Sequence, residues 1–298
     1  MKLKIWGCRG SVPSWLPPEQ VKKFGNRTTC YEIIEGNERI IIDAGTGIIP
    51  LGNEIMKQDK LETIICLSHL HWDHIQGLPF FVPLYVQGFQ FRVYGRVKWD
   101  KTLEEILQGQ MSHWHFPISL KEVSARGAEI KYIDFYPGGD LHCDLNNLRV
   151  HTLELNHPGG CIGYKITSVK TRKTIVILTD NEHRETLGVE LEGFLDKANI
   201  ILWDGQYTTI EEHKAILYKY KHGWGHSTGE FALRKIREKI QEQHPLEKLI
   251  ITHHDPSSVD EILLDLEETL KEVRELISRD WKDVKEVIFA RDNMEVEI

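Results

Sequence analysis

The sequence predicts a layered α/β sandwich, two sheets packed face to face with helices outside. Three observations carry this. Short β-branched runs bounded by turn residues recur along the whole chain, the first 45 residues hold strand and turn patterns alone, and helical periodicity later alternates with strands. Length and composition allow the core such a fold needs. The chain has 298 residues, 41% hydrophobic and 28% charged, enough for one large domain and too apolar for intrinsic disorder.

The expected strands run at 2–6, 29–35, 38–43, 63–68, 91–95, 130–134, 148–155, 162–167, 174–179, 199–203, 248–252 and 285–290. The earliest make β-hairpins; the later ones join mixed β/α units. A helix is expected over 229–243, with Phe231, Leu233, Ile236 and Ile240 inward. Another follows Asp260, where Ile262, Leu263, Leu266, Leu270, Val273, Leu276 and Ile277 repeat at three- and four-residue steps. The less regular stretch 96–127 carries five basic residues against four acidic ones and reads as an insertion or lid. No fixed-period repeat, low-complexity stretch or Ser/Gly linker divides residues 1–298, so a single domain is expected.

Charge and composition also exclude function classes. With 45 acidic residues against 37 basic ones, a formal net charge of −8, and no polybasic run, a long nucleic acid is not expected as partner. The longest apolar runs, such as Ile40–Ile42 and Thr63–Leu67, are strand-sized, so no membrane partner is expected either. Strand-like sequence from Met1 to Trp6 takes the place of a signal peptide's apolar region, which makes the cytoplasm the expected compartment. Five cysteines without C-x-x-C spacing read as reduced core thiols. A homodimer is the oligomer left open.

The strongest chemical signal is Ser68-His69-Leu70-His71-Trp72-Asp73-His74, directly after the apolar run 63–67. In extended backbone, residues two apart share a side, so His69 and His71 can point one way together. A turn into helix after them lets Asp73 and His74 face a neighbouring point. Imidazole and carboxylate at such spacing suit zinc, manganese or iron.

This segment resembles the H-x-H-x-D-H signature of the metallo-β-lactamase superfamily, and further motifs of that family follow at strand ends: His157, Asp180 and His253. The resemblance implies a four-layer αββα sandwich and a binuclear centre of two divalent metal ions, zinc first and manganese or iron as alternatives. It places His69, His71 and His157 on one metal, Asp73, His74 and His253 on the other, and Asp180 between them. His254 competes with His253; the strand ending at Thr252 favours the first histidine. Such a pair activates water and clamps the oxygens of an in-line displacement. Several branches use it on β-lactams, lactones, thioesters or phosphodiesters, so the branch must come from other residues.

Gly223-Trp224-Gly225-His226-Ser227-Thr228 resembles the G-H-S-T segment of tRNA 3′-processing endonucleases and related phosphodiesterases. The resemblance implies that His226 donates a proton to the leaving oxygen, paired with Asp204 at an earlier strand end. Expulsion of an alkoxide calls for such a donor. The opening Gly7-Cys8-Arg9-Gly10-Ser11-Val12-Pro13 also resembles that branch, but its basic Pro-x-Lys-x-Arg-Asn segment is absent; Gly25-Asn26-Arg27-Thr28-Thr29-Cys30 follows instead. A small phosphodiester resembling a cyclic nucleotide is therefore the expected substrate, with Asp73, His226 and Asp204 as catalytic residues. Hydrolysis of a lactone, thioester or β-lactam on the same metals is the alternative, and a non-catalytic sensor is a third. His71 stands where oxygen-reducing diiron relatives carry an acidic residue, which disfavours redox chemistry.

Other candidates weigh less. His113 and His115 lack nearby acidic ligands and read as lid surface, whereas Trp114 and Phe116 fit either base stacking or core packing. Trp72 is expected at the mouth of the site. Asp43 fits either a hydrogen bond to a metal histidine or a turn cap.

Overall fold

The computed structural model describes residues 1–57, 62–96, 101–182, 188–208, 222–239, 246–277 and 284–298. The first hairpin joins β2 (Cys30–Glu35) to β3 (Glu38–Ile42) through Gly36, whose φ of +61° is left-handed backbone that glycine adopts without a Cβ clash. β1 (Lys2–Gly7) pairs antiparallel with β2 and also with the last described strand, β14 (Met294–Glu297). From β3 onward the strands β4 (Glu62–Cys66), β5 (Gln90–Arg96) and β6 (Glu129–Phe135) are each parallel to their predecessor. Parallel neighbours require crossovers. These hold α1 (Ile48–Ile55), α2 (Trp72–Ile75), and the pair α3 (Leu103–Gln110) and α4 (Leu120–Arg126).

The second sheet repeats the plan. β7 (Gly139–Leu141), β8 (Leu148–Leu155), β9 (Cys161–Ser168) and β10 (Thr174–Leu178) are antiparallel in turn, and β11 (Ile200–Asp204), β12 (Leu246–Thr252) and β13 (Val284–Phe289) continue in parallel. α5 (Val189–Leu195), α6 (Gly229–Lys239) and α7 (Asp260–Ile277) accompany this half. Sheet orders are β14-β1-β2-β3-β4-β5-β6 and β13-β12-β11-β10-β9-β8-β7.

Alternation along each strand makes the layers. Ile40 and Ile42 share the central core with Ile175 and Ile177 of the other sheet, whereas Ile41 packs outward with Leu51 and Leu103 of the helices. Val176, Ile201 and Trp203 pack on the opposite side with Phe194, Ile236 and Leu266. The result is the expected α/β fold, two mixed sheets between helical layers. No described helix is long and apolar enough to cross a membrane. All five cysteines are free and buried.

Expected strands fall on observed ones with ends moved by one or two residues. β7 and β14, the two extra strands, are only three and four residues long. α1 hides behind Pro50 and Gly52; the proline sits in the first turn, where its missing N–H costs no intrahelical bond. Of the segment 96–127, residues 101–127 lead into β6, and both helices in them start at capping boxes, Thr102 with Glu105 and Ser119 with Glu122. Leu103, Leu107, Leu120 and Val123 pack on the first sheet. The helix expected over 229–243 is observed as far as Lys239; residues 240–243, with Ile240, lie outside the described residues, as do the side chains of Leu276 and Ile277.

The sheets are stitched beneath the histidine motif. The buried Tyr164 hydroxyl on β9 donates to the Leu67 carbonyl at 2.7 Å, and the Ile162 N–H donates to the Ser68 carbonyl at 2.9 Å. Tyr164→Phe leaves the Leu67 oxygen buried without this donor, so a loss of about 1–3 kcal/mol is expected in urea unfolding. An unchanged unfolding midpoint would show that this bond adds nothing to stability.

Candidate metal centre

Strand ends of both sheets supply the chemistry. β4 ends at Cys66, and the following turn is fixed by Asp43 beyond β3: its Oδ1 accepts the Ser68 N–H at 2.7 Å and its Oδ2 accepts the Ser68 hydroxyl at 2.9 Å. His71 is extended, with ψ of 154°, and caps the four-residue α2, which turns Asp73 and His74 inward. Asp43 Oδ2 also lies 2.7 Å from His74 Nδ1, so the bond to a motif histidine is the role its geometry favours. Thr29 Oγ1 approaches the same nitrogen at 3.0 Å.

The rings of His71, His74 and His157 surround that of His69 at centroid distances of 4.4, 4.1 and 4.7 Å. Asp180 divides the site with its two oxygens. Oδ2 lies 3.5 Å from His69 Nε2 and 3.8 Å from His157 Nε2, whereas Oδ1 lies 3.3 Å from His74 Nε2 and 3.1 Å from His253 Nε2. Asp73 Oδ2 stands 3.2 Å from both His74 Nε2 and His253 Nε2 and accepts the Ser11 N–H at 2.7 Å. Among the described residues three donor sets result, His69, His71, His157 and Asp180 first, Asp73, His74, Asp180 and His253 second, and Asp180, Asp204, His226 and His253 third, the ligand atoms of each within 4.8 Å of one another.

The donor chemistry fits cations. His69 Nε2, His74 Nε2 and Asp180 Oδ1 are buried without hydrogen-bond partners, a condition that is costly unless something else binds them. Burial pushes His69, His71 and His157 below the ordinary imidazole range, so each keeps a lone pair to offer. Around His74 burial acts the same way, but Asp180, Asp73 and Asp43 outweigh it and push this imidazole up. Negative charge is thus in excess there, as befits a site for divalent ions.

Asp43, Asp180 and His253 take left-handed φ values of 64°, 58° and 61°. The chain at each strand end therefore kinks instead of continuing extended. Gly10 makes room for His253, since a Cβ there would lie 2.3 Å from its ring. Gly10 and Ser11 lie in the opening segment whose resemblance to the tRNA 3′-processing branch the sequence already showed, but their contacts with His253 and Asp73 are visible only in the structure.

Beside the second donor set, His226 stacks on His253 at 4.9 Å between centroids, and its Nδ1 lies 2.8 Å from Asp204 Oδ2. Burial lowers the basicity of His226, yet the charge and hydrogen bond of Asp204, with Asp180 and Asp73 adding, leave its pKa raised to about 9. Asp204 is itself fixed by the Gln206 N–H on Oδ1 at 3.0 Å and the Asn181 N–H on Oδ2 at 3.2 Å.

The remaining candidates lie elsewhere. His254 points away from the donor sets: its Nε2 donates to the Ala290 carbonyl at 2.9 Å and its ring stacks on Phe289. Burial, with Arg9 adding, lowers its pKa to about 3. Folded His254 then stays neutral while an unfolded histidine takes a proton near about pH 6.5. Stability present above that pH is expected to drain away as pH falls from about 6.5 towards 3. Urea midpoints across this window should fall less steeply in His254→Gln; parallel profiles would assign the loss to other groups. His115 Nδ1 bonds to Ser112 and His113 approaches Glu122, so neither joins a donor set. Trp114 is 94% exposed, whereas Phe116 packs edge-on against Phe80 beside the first sheet's outer core. Trp72, next to His71 and Asp73, is 63% exposed.

Residues 38–254 match the model of the beta-lactamase superfamily domain. The chain belongs to this superfamily. Ribonuclease Z of Methanococcus maripaludis is 25% identical over 286 residues, covering 87% of this chain and 83% of that protein; two other ribonuclease Z sequences are matched over 45% and 49% of their length. Human tRNase Z, short form, shares the fold at a TM-score of 0.64 and 18% identity, over 100% of this chain and 99% of that one. A diphosphatase of the PhnP family does so at 0.63 and 15%, over 100% and 97%. The expected superfamily, in its tRNase Z-like phosphodiesterase branch, is borne out, and the chain is a hydrolase of that superfamily.

One expectation is overturned. The relatives are ribonucleases by name, which contradicts the exclusion of a long nucleic-acid partner. Net charge averages over the chain, whereas a polyanion is held by local groups. Arg149, Lys165 and Arg172, for example, line a common surface groove together with Asp140 and Glu190.

Proposed function

We propose that the chain is a binuclear metal-dependent phosphodiester hydrolase. The observation that carries this reading is the Asp204–His226 pair set against two histidine clusters that share the carboxylate of Asp180. His69, His71 and His157 would hold one divalent ion, Asp73, His74 and His253 the other, and Asp180 both. When bound, such ions, zinc being the best suited to these donors, polarise the phosphoryl oxygens and lower the pKa of water.

The protein's own groups do the rest. Asp73, steadied by the Ser11 N–H, takes a proton from the attacking water as its oxygen bonds to phosphorus. As the bond from phosphorus to the leaving oxygen breaks, His226 gives that oxygen its Nε2 proton. Asp204 holds the Nδ1 side and keeps the ring protonated at neutral pH. Five buried free thiols fit a reducing compartment such as the cytoplasm.

The substrate is proposed to be a phosphodiester with an alkoxide leaving group, a cyclic-nucleotide-like molecule being the smallest that meets this need. RNA is the second reading, favoured by the ribonuclease Z relatives. Metal-quantified protein assayed on bis(p-nitrophenyl) phosphate, cyclic nucleotides, a precursor tRNA, lactones and thioesters tests both. Turnover of carboxylic derivatives alone would overturn the proposal. Asp73→Ala is expected to reduce turnover by about 10²–10⁴-fold, with a smaller effect on KM. An unchanged kcat would remove Asp73 from proton transfer.

A further inference from the structure

The two residues after Asp180 tie the loops of the site together. Asn181 gives its N–H to Asp204, and its Oδ1 accepts the Asn156 N–H at 3.0 Å, just before His157. Glu182, 5% exposed, gives its N–H to the Asn156 carbonyl at 2.8 Å. Its carboxylate faces the loop that carries His226. Oε1 and Oε2 accept the Gly223 N–H at 2.8 and 2.9 Å, and Oε2 also accepts the Gly225 N–H at 2.9 Å. His222 Nδ1 lies 2.7 Å from Oε1.

Several N–H donors converging on one buried point call for an acceptor with many lone pairs and no proton of its own, which a carboxylate is. Gly223 and Gly225 allow the convergence through φ values of 84° and 88°. The same loop leans on the metal centre: the Gly225 carbonyl accepts the His157 Nδ1–H at 3.0 Å, and a Cβ on Gly225 would fall 1.9 Å from that nitrogen. Trp224 at the loop's tip is 59% exposed, so apolar burial does little to hold the tip in place.

We propose that Glu182 is the positioning residue of the 222–226 loop, fixing where His226 stands and how His157 presents its Nε2. The inference rests on His226 as proton donor, and it deepens that reading. The orientation of a ligand histidine is commonly set by what its other nitrogen bonds. Here the bonded atom is a carbonyl whose place depends on Glu182.

The test uses Glu182→Ala and Glu182→Gln in the full chain. In metal-free protein, amide exchange at Gly223 and Gly225 should rise at least about 10-fold in Glu182→Ala and less in Glu182→Gln, which keeps one acceptor oxygen, while exchange in β4 and β12 stays unchanged. With metals, Glu182→Ala should lose about 10–100-fold in kcat on an alkyl phosphodiester and far less on a nitrophenyl one, with KM nearly constant. Wild-type exchange rates at both amides, or equal losses on both substrates, would overturn the proposal. If Glu182→Ala does not fold, Glu182→Gln decides: unchanged exchange and unchanged leaving-group dependence defeat it. Should the wild type cleave no phosphodiester, the proposed activity fails, and exchange still decides whether Glu182 holds the loop.

Discussion

His226→Ala is expected to keep its metals and its substrate affinity yet lose about 10²–10⁴-fold in turnover on a phosphodiester with an alkoxide leaving group. The alkoxide needs a proton as the bond breaks, and the imidazole held 2.8 Å from Asp204 is the group placed to give it. A nitrophenolate departs without one, so the loss on bis(p-nitrophenyl) phosphate should be much smaller. Asp204→Asn should show a milder form of the same split, because it leaves the ring in place but removes the charge that raises its pKa to about 9. A histidine that only bound phosphate would depress both substrates alike. Equal losses would therefore retire the proton-donor role and with it the main reason to prefer phosphodiesters.

Asp180→Ala should have the larger effect on the metals themselves. Its two oxygens face different histidine sets, so its removal strips a donor from both and takes away the anion that offsets repulsion between two cations. Metal content should fall below one ion per chain after dialysis, and turnover by about 10³-fold or more. Alanine is strained at the left-handed φ of this position, so Asp180→Asn, which tolerates that backbone, serves as control. It should retain the fold by circular dichroism and still lose metal. Two ions per chain with full activity in either variant would remove Asp180 from the site.

Much of this was legible in the sequence because strands buried on both faces leave continuous apolar runs. Ile40–Ile42 and Ile175–Leu178 send alternate side chains into different core layers, and either layer demands an apolar residue. Ligand types clustered at the ends of such runs drew attention to His69, Asp180 and His253. The short helices were harder. α1 carries a proline and a glycine, and α5 has two buried residues, so periodicity had little to show; the capping boxes of α3 and α4 were readable signals that periodicity alone passes over. Glu182 escaped for another reason. Its role depends on a loop about forty residues away meeting the end of β10, and only tertiary pairing of the strands brings them together. The exclusion of RNA failed because charge summed over a chain says little about one face of it.

The kinked strand end at His253 sets activity against heat resistance. A side chain with a Cβ at such φ values costs on the order of 1 kcal/mol, less for aspartate, and glycine relieves it. At 180 glycine would instead remove a carboxylate whose Oδ1 lies 3.3 Å from His74 Nε2 and 3.1 Å from His253 Nε2. A selection that rewarded thermal survival of the metal-free chain and nothing else would therefore drift towards glycine at 253 while keeping Asp43, whose oxygens hold Ser68 and His74, weakening the hydrolase while improving the fold. Demand for catalysis must be applied in every round if a hardier version is to remain an enzyme.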